Sequence, residues 1–159
     1  TRIPMILSGN EKLLPGIQPG SVCHSVVELR DVMPTLLDFA HAAVPDSVDG
    51  KSMLPLTADT TREIRTSLHG EHSYGPLSNH WIATSYDKFI WYTETGTEQY
   101  FRTEEDPHEL HNQILNPAYQ ERIFTLRSQL IHELKNRPEG FSDGTHLLKG
   151  MPYPPYLGE

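Results

Sequence analysis

The densest group of side chains able to do chemistry is His69-Gly70-Glu71-His72, with His80 beyond it. Nine histidines in 159 residues make metal ligation worth testing, because imidazole is a frequent zinc ligand. The runs around the group are rich in aromatic and β-branched residues and read as strands. Adjacent positions on a strand point to opposite faces, so His69 and His72 face apart. Gly70, Gly75 and Pro76 argue against a helix that could bring them together. No dedicated metal site is expected from this spacing. The loop leaving Glu71 keeps His72, Asn79 and His80 available for hydrogen bonding, since imidazole and carboxamide groups can both donate and accept.

Three other features invite a chemical reading. Cys23 is the single cysteine, so no internal disulfide and no cysteine-based metal cluster can form, and the redox compartment stays open. Its neighbour His24 does not activate it, because consecutive strand residues diverge, and a buried structural thiol is expected. Asp106 and Glu109 have the spacing of a capping box, which assigns their carboxylates to backbone N–H groups rather than to acid–base work. Trp81, Trp91 and Tyr92 could form a sugar-stacking platform, but packing between sheet and helix is the better reading for at least one tryptophan.

The elements that must position these residues follow from patterning. Ser67 to Ser73, Trp81 to Thr84, Lys88 to Tyr92 and Gln99 to Phe101 predict about four strands in an antiparallel meander, with Gly96 in a tight turn. A long helix covers one face: Asn116 is its N-cap, Pro117 its first residue, and Ile123, Leu126, Leu130, Ile131 and Leu134 its apolar stripe. Arg137-Pro138 with Gly140 ends it. Upstream, Leu29, Val32, Met33, Leu36, Leu37 and Ala40 predict a helix starting near Glu28 to Asp31, with that stripe buried and Asp31 and Asp38 off it. Asp49-Gly50 is a turn, and Ser52-Met53-Leu54-Pro55-Leu56 returns apolar residues to the core. Ile3 to Leu7 reads as a buried strand wanting neighbours on both sides, and Val22 to Val27 as a brief strand. Gly144 to Glu159, rich in Pro and Tyr, reads as an extended tail lying across another surface.

The chain is long enough for one compact domain with a real core, and its apolar fraction of 36% is low but globular. A formal charge of −8, with scattered Lys and Arg, argues against nucleic acid as a partner. No apolar run approaches the roughly 20 residues of a membrane helix, and no basic-then-apolar leader opens the chain.

The order D-V-M-P-T-L-L-D-F-A, then V-P-D-S-V-D-G-K-S-M-L-P-L, closely resembles the segment that follows the catalytic core in sulfatases of the alkaline phosphatase superfamily. R-I-P-M-I-L-S-G resembles the strand those enzymes place after their last catalytic lysine. S-N-H-W-I-A-T through E-D-P-H-E-L-H-N, and the run Pro138 to Gly144, are similar to their C-terminal subdomain. The departure is Tyr100-Phe101-Arg102-Thr103, where L-F-D-L is usual.

This resemblance implies an α/β, alkaline-phosphatase-like fold. Residues 1–60 would end the large catalytic domain with its last strand and helix. Residues 61–137 would form a C-terminal subdomain, a small antiparallel sheet packed on a long helix (α+β), and residues 138–159 the tail. It implies hydrolysis of aryl or carbohydrate sulfate esters at a Ca²⁺-bound formylglycine, in periplasmic or secreted enzymes. Neither cofactor would be held here, because C-x-P-S-R, the paired aspartates and the remaining metal element are absent from this sequence, and Cys23 lacks the formylglycine context. The expected partners are the N-terminal catalytic half and a sulfated small molecule or glycan. No catalytic residue is assigned, and His72, Asn79 and His80 are the candidate substrate contacts. The competing readings are a phosphoester or phosphonate monoester hydrolase of the same superfamily, a non-catalytic sugar-binding module, and one piece of a split enzyme.

Overall fold

The computed structural model describes residues 3–151. The chain divides into two compact units, residues 1–66 and 67–159, where length alone suggested one body. The division arises because the first unit buries apolar side chains of its own, Leu14, Met53 and Leu56.

In the first unit, a 3-10 turn over Leu29–Asp31 leads into α1, Val32–Phe39. The helix therefore begins where Pro34 requires, but it is turned the other way from the apolar reading. Leu29 is 70% and Leu36 63% exposed, with Met33 and Phe39 also outward, while Asp31, Pro34 and Thr35 are buried. Polar stitching accounts for this. The Asp31 carboxylate accepts from the backbone N–H of Glu28 and of Lys51, each at 2.8 Å, and from both terminal nitrogens of Arg65 at 2.5 Å. Thr35 Oγ1 donates to the Asp31 carbonyl at 2.6 Å and accepts from Met53 N–H at 2.9 Å. Ser52 Oγ donates to Asp38 at 2.5 Å. A buried carboxylate must be hydrogen-bonded or paired, and a forked guanidinium satisfies it best, so these partners decide which face turns inward.

The expected Asp49-Gly50 turn is not there: the turn forms over Asp46-Ser47, closed by Val48 N–H donating to Pro45 C=O at 3.0 Å, and Gly50 lies in the irregular chain after it, where it makes the stitching possible. A Cβ at Gly50 would lie 1.9 Å from the Arg30 carbonyl oxygen, so only glycine lets the chain reach the helix entry at this point. Burial pushes the Asp31 carboxyl up, but Arg65 and the two backbone N–H donors outweigh it and hold it below the usual range. A short helix α2, Pro55–Ala58, then returns the apolar patch, with Met53 and Leu56 buried as expected.

Three further expectations for this unit fail. Ile3 to Leu7 and Val22 to Val27 form no strand. Ile6 is 86% and Ile3 46% exposed, because no strand edge among the described residues of the unit offers a ladder to the first run. Cys23 is free but half-buried, not enclosed.

The second unit follows its pattern closely. β1, Leu68–His72; β2, Asn79–Ala83; β3, Lys88–Tyr92; and β4, Glu98–Phe101, form one antiparallel sheet in sequence order. Gly96, at φ +73°, closes the last hairpin. Asn116 accepts from Ala118 N–H at 3.0 Å, Pro117 opens a 3-10 turn, and α3 spans Gln120–Leu134. Ile123, Leu126, Leu130 and Leu134 are buried against Ile82, Phe89, Trp91 and Tyr100. Burial on that scale is the unit's main source of stability, at about 1.5–3 kcal/mol for each large apolar side chain. A polar pin joins the layers: buried Asp87 accepts from Arg122 at 2.7 Å and from the Tyr100 hydroxyl at 3.0 Å.

Two details differ from expectation. Asp106 does cap backbone, accepting from His111 N–H at 2.8 Å. Glu109 instead stands at φ +54° and pairs with Lys88 at 2.8 Å, so no capping box forms and no helix starts there. The residues after Gly140 fold back on their own unit rather than reaching for another surface. Phe141 enters the core, Leu148 N–H donates to Phe141 C=O at 2.8 Å, and Gly150 N–H donates to Thr93 C=O at 2.8 Å. The part of the expected tail beyond residue 151 lies outside the described residues.

Candidate functional site

The register of β1 and β2 sets the geometry of the histidine-rich group. His69 lies opposite Ile82, Glu71 opposite His80, and His72 opposite Asn79. Paired residues share a face and positions two apart repeat it, so His69, Glu71 and His80 fall on the helix-covered face and His72 and Asn79 on the other. The expected divergence of His69 from His72 is present. The convergence lies elsewhere, in a pair two apart and a residue across the ladder.

On the covered face, His69 Nε2 lies 3.1 Å from His80 Nδ1, and the two rings stack with planes 12° apart. Glu71 Oε2 lies 3.5 Å from His80 Nδ1. Arg137, just past α3, donates to Glu71 at 2.7 Å and forks onto Glu139 at 2.8 and 3.2 Å. His80 is enclosed, with its ring centroid 5.1 Å from Phe141 and 6.3 Å from Trp91. Burial, then the nearby His69 and Arg137, lower its pKa to about 3 against the opposing pull of Glu139, so its imidazole is neutral at neutral pH. Glu139 is held below the usual carboxylate range, first by its hydrogen bonds from Arg137.

The other face carries the exposed end. His72 stacks on Tyr74, with centroids 6.0 Å apart, and the Asn79 amide donates to Leu77 C=O at 2.8 Å. Tyr74 N–H donates to Ser78 Oγ at 2.9 Å, and Ser78 Oγ donates to Gly75 C=O at 2.7 Å, which fixes the loop between them. Tyr74 and Leu77 point outward, at 67% and 58% exposure. Of the three candidate contacts, the structure thus brings His72 and Asn79 together at an exposed loop. It places fully buried His80 apart from them, where the ring faces His69 and Glu71 rather than solvent. Trp91 is in the core, and Trp81 lies across Gly70, where an added Cβ would meet the indole at 2.3 Å.

His69, Glu71, Arg137 and Glu139 went unassigned in the sequence. The signal for the first two was the period of two that separates Glu71 from His72. None marked Arg137, 66 residues from its carboxylate partner.

Calcium and formylglycine find no fit among the described residues. The described group of three or more His, Cys, Asp or Glu side chains with converging ligand atoms is His69, Glu71 and His80. It offers two nitrogens and a carboxylate, where calcium takes six to eight oxygens. Cys23 sits before His24 and Ser25, half-buried, outside the sequence context in which a cysteine would be converted.

Comparison with known proteins gives the lineage. Residues 1–136 match the family described as N-sulphoglucosamine sulphohydrolase, C-terminal, and the chain belongs to that family. An arylsulfatase of Clostridium perfringens is 50% identical over 151 residues, covering 95% of this chain but 31% of its own length. The chain therefore spans about a third of that relative. A structure solved in complex with its substrate D-glucosamine-2-N,6-O-disulfate superposes with a TM-score of 0.58 at 24% identity, over 68% of this chain and 24% of the other. A phosphonate monoester hydrolase from Silicibacter pomeroyi shares the fold at a TM-score of 0.57 and 22% identity, over 80% of this chain and 29% of its own. The sheet with its long helix is accordingly a fold shared with these structures, in a chain of the N-sulphoglucosamine sulphohydrolase C-terminal family.

Proposed function

We propose that the chain serves as the C-terminal part of a sulfatase that hydrolyses aryl or carbohydrate sulfate esters, supplying scaffold and part of the substrate rim. The observation that carries this reading is the 50% identity to an arylsulfatase over nearly the whole chain. The family's description names a sulfated glucosamine, which favours an amino-sugar sulfate as substrate class. The calcium and formylglycine centre belongs to the N-terminal catalytic half of the longer protein, since the donors described here do not suit either group. The outward apolar stripe of α1 and the exposed Ile3 to Leu7 run are the surfaces that half would cover, because apolar side chains in this number favour removal from water.

Within this reading, His72 and Asn79 meet the substrate. Both sit at an exposed loop with polar atoms able to donate to sulfate or sugar oxygens, and Tyr74 offers an adjacent ring face. His80 acts behind them, holding the β1 and β2 side chains in place. The phosphonate hydrolase reading rests on shared fold alone.

The test compares an aryl sulfate with an aryl phosphonate monoester. The 159-residue chain alone is expected to turn over neither. The longer enzyme is expected to prefer the sulfate, and His72→Ala or Asn79→Ala in it to raise KM about tenfold with kcat little changed. Hydrolysis by the isolated chain, or a preference for the phosphonate, would overturn the proposal.

A further inference from the structure

We propose that His69, Glu71 and His80 form a binding site for one transition-metal dication of the zinc type. The inference goes beyond the sulfatase reading and does not depend on it.

Geometry carries the argument. The three side chains each present a ligand atom, and these atoms lie within 4.8 Å of one another. A tetrahedral ion with bonds of about 2.05 Å holds its ligand atoms about 3.3 Å apart. The observed separations, 3.1 Å between the two imidazole nitrogens and 3.5 Å between His80 Nδ1 and Glu71 Oε2, bracket that edge. The remaining separation closes by rotation of Glu71, whose side chain is 39% exposed and flexible.

The histidines, by contrast, are fixed. His69 and His80 stand on paired strands, and His80 is wedged against Phe141 and Trp91, so two of the three ligands are preorganised on rigid elements. Half-buried His69 and exposed Glu71 leave the site open to solvent. Two imidazoles with one carboxylate suit zinc, nickel or copper and disfavour calcium and magnesium. Three protein ligands are also the number that leaves a zinc position for water or another ligand.

Arg137 supplies a distinguishing feature. Its guanidinium lies 2.7 Å from the Glu71 oxygen a metal would take, so metal and arginine compete for one carboxylate. Glu139 already holds the other edge of Arg137 at 2.8 Å, which gives the guanidinium a place to remain once Glu71 turns to the ion. A purely structural Glu71–Arg137 pair predicts that removing Arg137 leaves zinc affinity unchanged. A metal site predicts that affinity rises.

Equilibrium dialysis of the 159-residue chain against Zn²⁺, with Ca²⁺ as a parallel arm, tests this, and circular dichroism confirms that each variant is folded. One Zn²⁺ per chain is expected, and no Ca²⁺. His69→Asn and Glu71→Gln should each weaken Zn²⁺ binding about tenfold or more, Arg137→Gln should tighten it several-fold, and His132→Asn on the exposed face of α3 should leave it unchanged. His80→Asn is avoided because that ring is part of the core. The proposal is overturned if folded His69→Asn binds as the parent does, if His132→Asn loses as much, or if folded Arg137→Gln binds no more tightly.

Discussion

α1 and α3 carry apolar stripes of the same kind, and they end on opposite sides of their helices' environments. In α3, Ile123, Leu126, Leu130 and Leu134 are sealed against the sheet. In α1 and the 3-10 turn that leads into it, Leu29, Met33 and Leu36 face outward while Asp31 and Thr35 are buried. The comparison teaches that a stripe marks a face suited to burial without naming what buries it. Within one chain, a well-partnered polar face can win the interior when the satisfied carboxylate and hydroxyl would cost more to leave unbonded than the leucines cost to expose. Once Asp31 is inside, losing its partners would leave a buried carboxylate unpaired at a cost of several kcal/mol, against about 2 kcal/mol that each exposed leucine forgoes.

The sharpest way to break the comparison is to remove the polar anchor. Asp31→Ala takes the forked partner from Arg65, leaving it Glu28 at 3.6 Å and the Val26 carbonyl at 3.4 Å, and should cost the first unit about 4 kcal/mol. Amide exchange over residues 31–39 measures it, and a loss below about 1 kcal/mol would mean that the apolar residues hold α1 after all. A second pair of variants weighs the stripes directly. Leu130→Ala should destabilise the second unit by about 3 kcal/mol, read by tryptophan fluorescence in urea because both tryptophans lie in that unit. Leu36→Ala should change exchange in α1 by no more than about 0.5 kcal/mol. Equal losses would erase the distinction between the helices.

A pH-dependent effect comes from His80. Its folded pKa of about 3 lies below the unfolded value near 6.5, so between these the unfolded chain binds a proton that the folded chain refuses. Stability contributed by the neutral ring is whole above about pH 6.5 and falls as pH drops, by about 1.4 kcal/mol per pH unit, until the folded pKa is reached. At pH 5 the second unit should be weaker by about 2 kcal/mol. His80→Phe, which cannot titrate and fits among Phe141 and Trp91, should flatten its urea midpoint between pH 7 and 5. An unchanged slope in that variant would assign the effect to other groups.

The second unit was legible because its signals agree and are local. Asn116, Pro117 and the α3 stripe all fix one helix, and short strands separated by turn residues fix the meander. The face of α1 was not legible. Its deciding partners, Lys51 and Arg65, lie 20 and 34 residues from Asp31, and no local pattern announces them. Asp106 and Glu109 misled for a related reason: the spacing of a capping box fits any acidic pair, and Lys88 across the sheet offered Glu109 a stronger partner. The histidine group was half readable. Strand alternation separates His69 from His72 and pairs His69 with Glu71, but only the register reveals that His80 stands opposite Glu71. The run D-V-M-P-T-L-L-D with D-G-K-S, which carried the resemblance, also gains a physical meaning, since its Asp, Thr, Gly and Ser are the stitches that hold α1 to the chain after it.

Gly50 adds one consequence for anyone scanning this protein by saturation mutagenesis. Its φ lies outside the left-handed region that favours glycine, so a tolerance rule based on that region would pass substitutions here. The clearance of 1.9 Å to a main-chain oxygen says otherwise. Position 50 should behave in such a library like an interior site, with even alanine depleted, although it lies in a partly solvated polar loop.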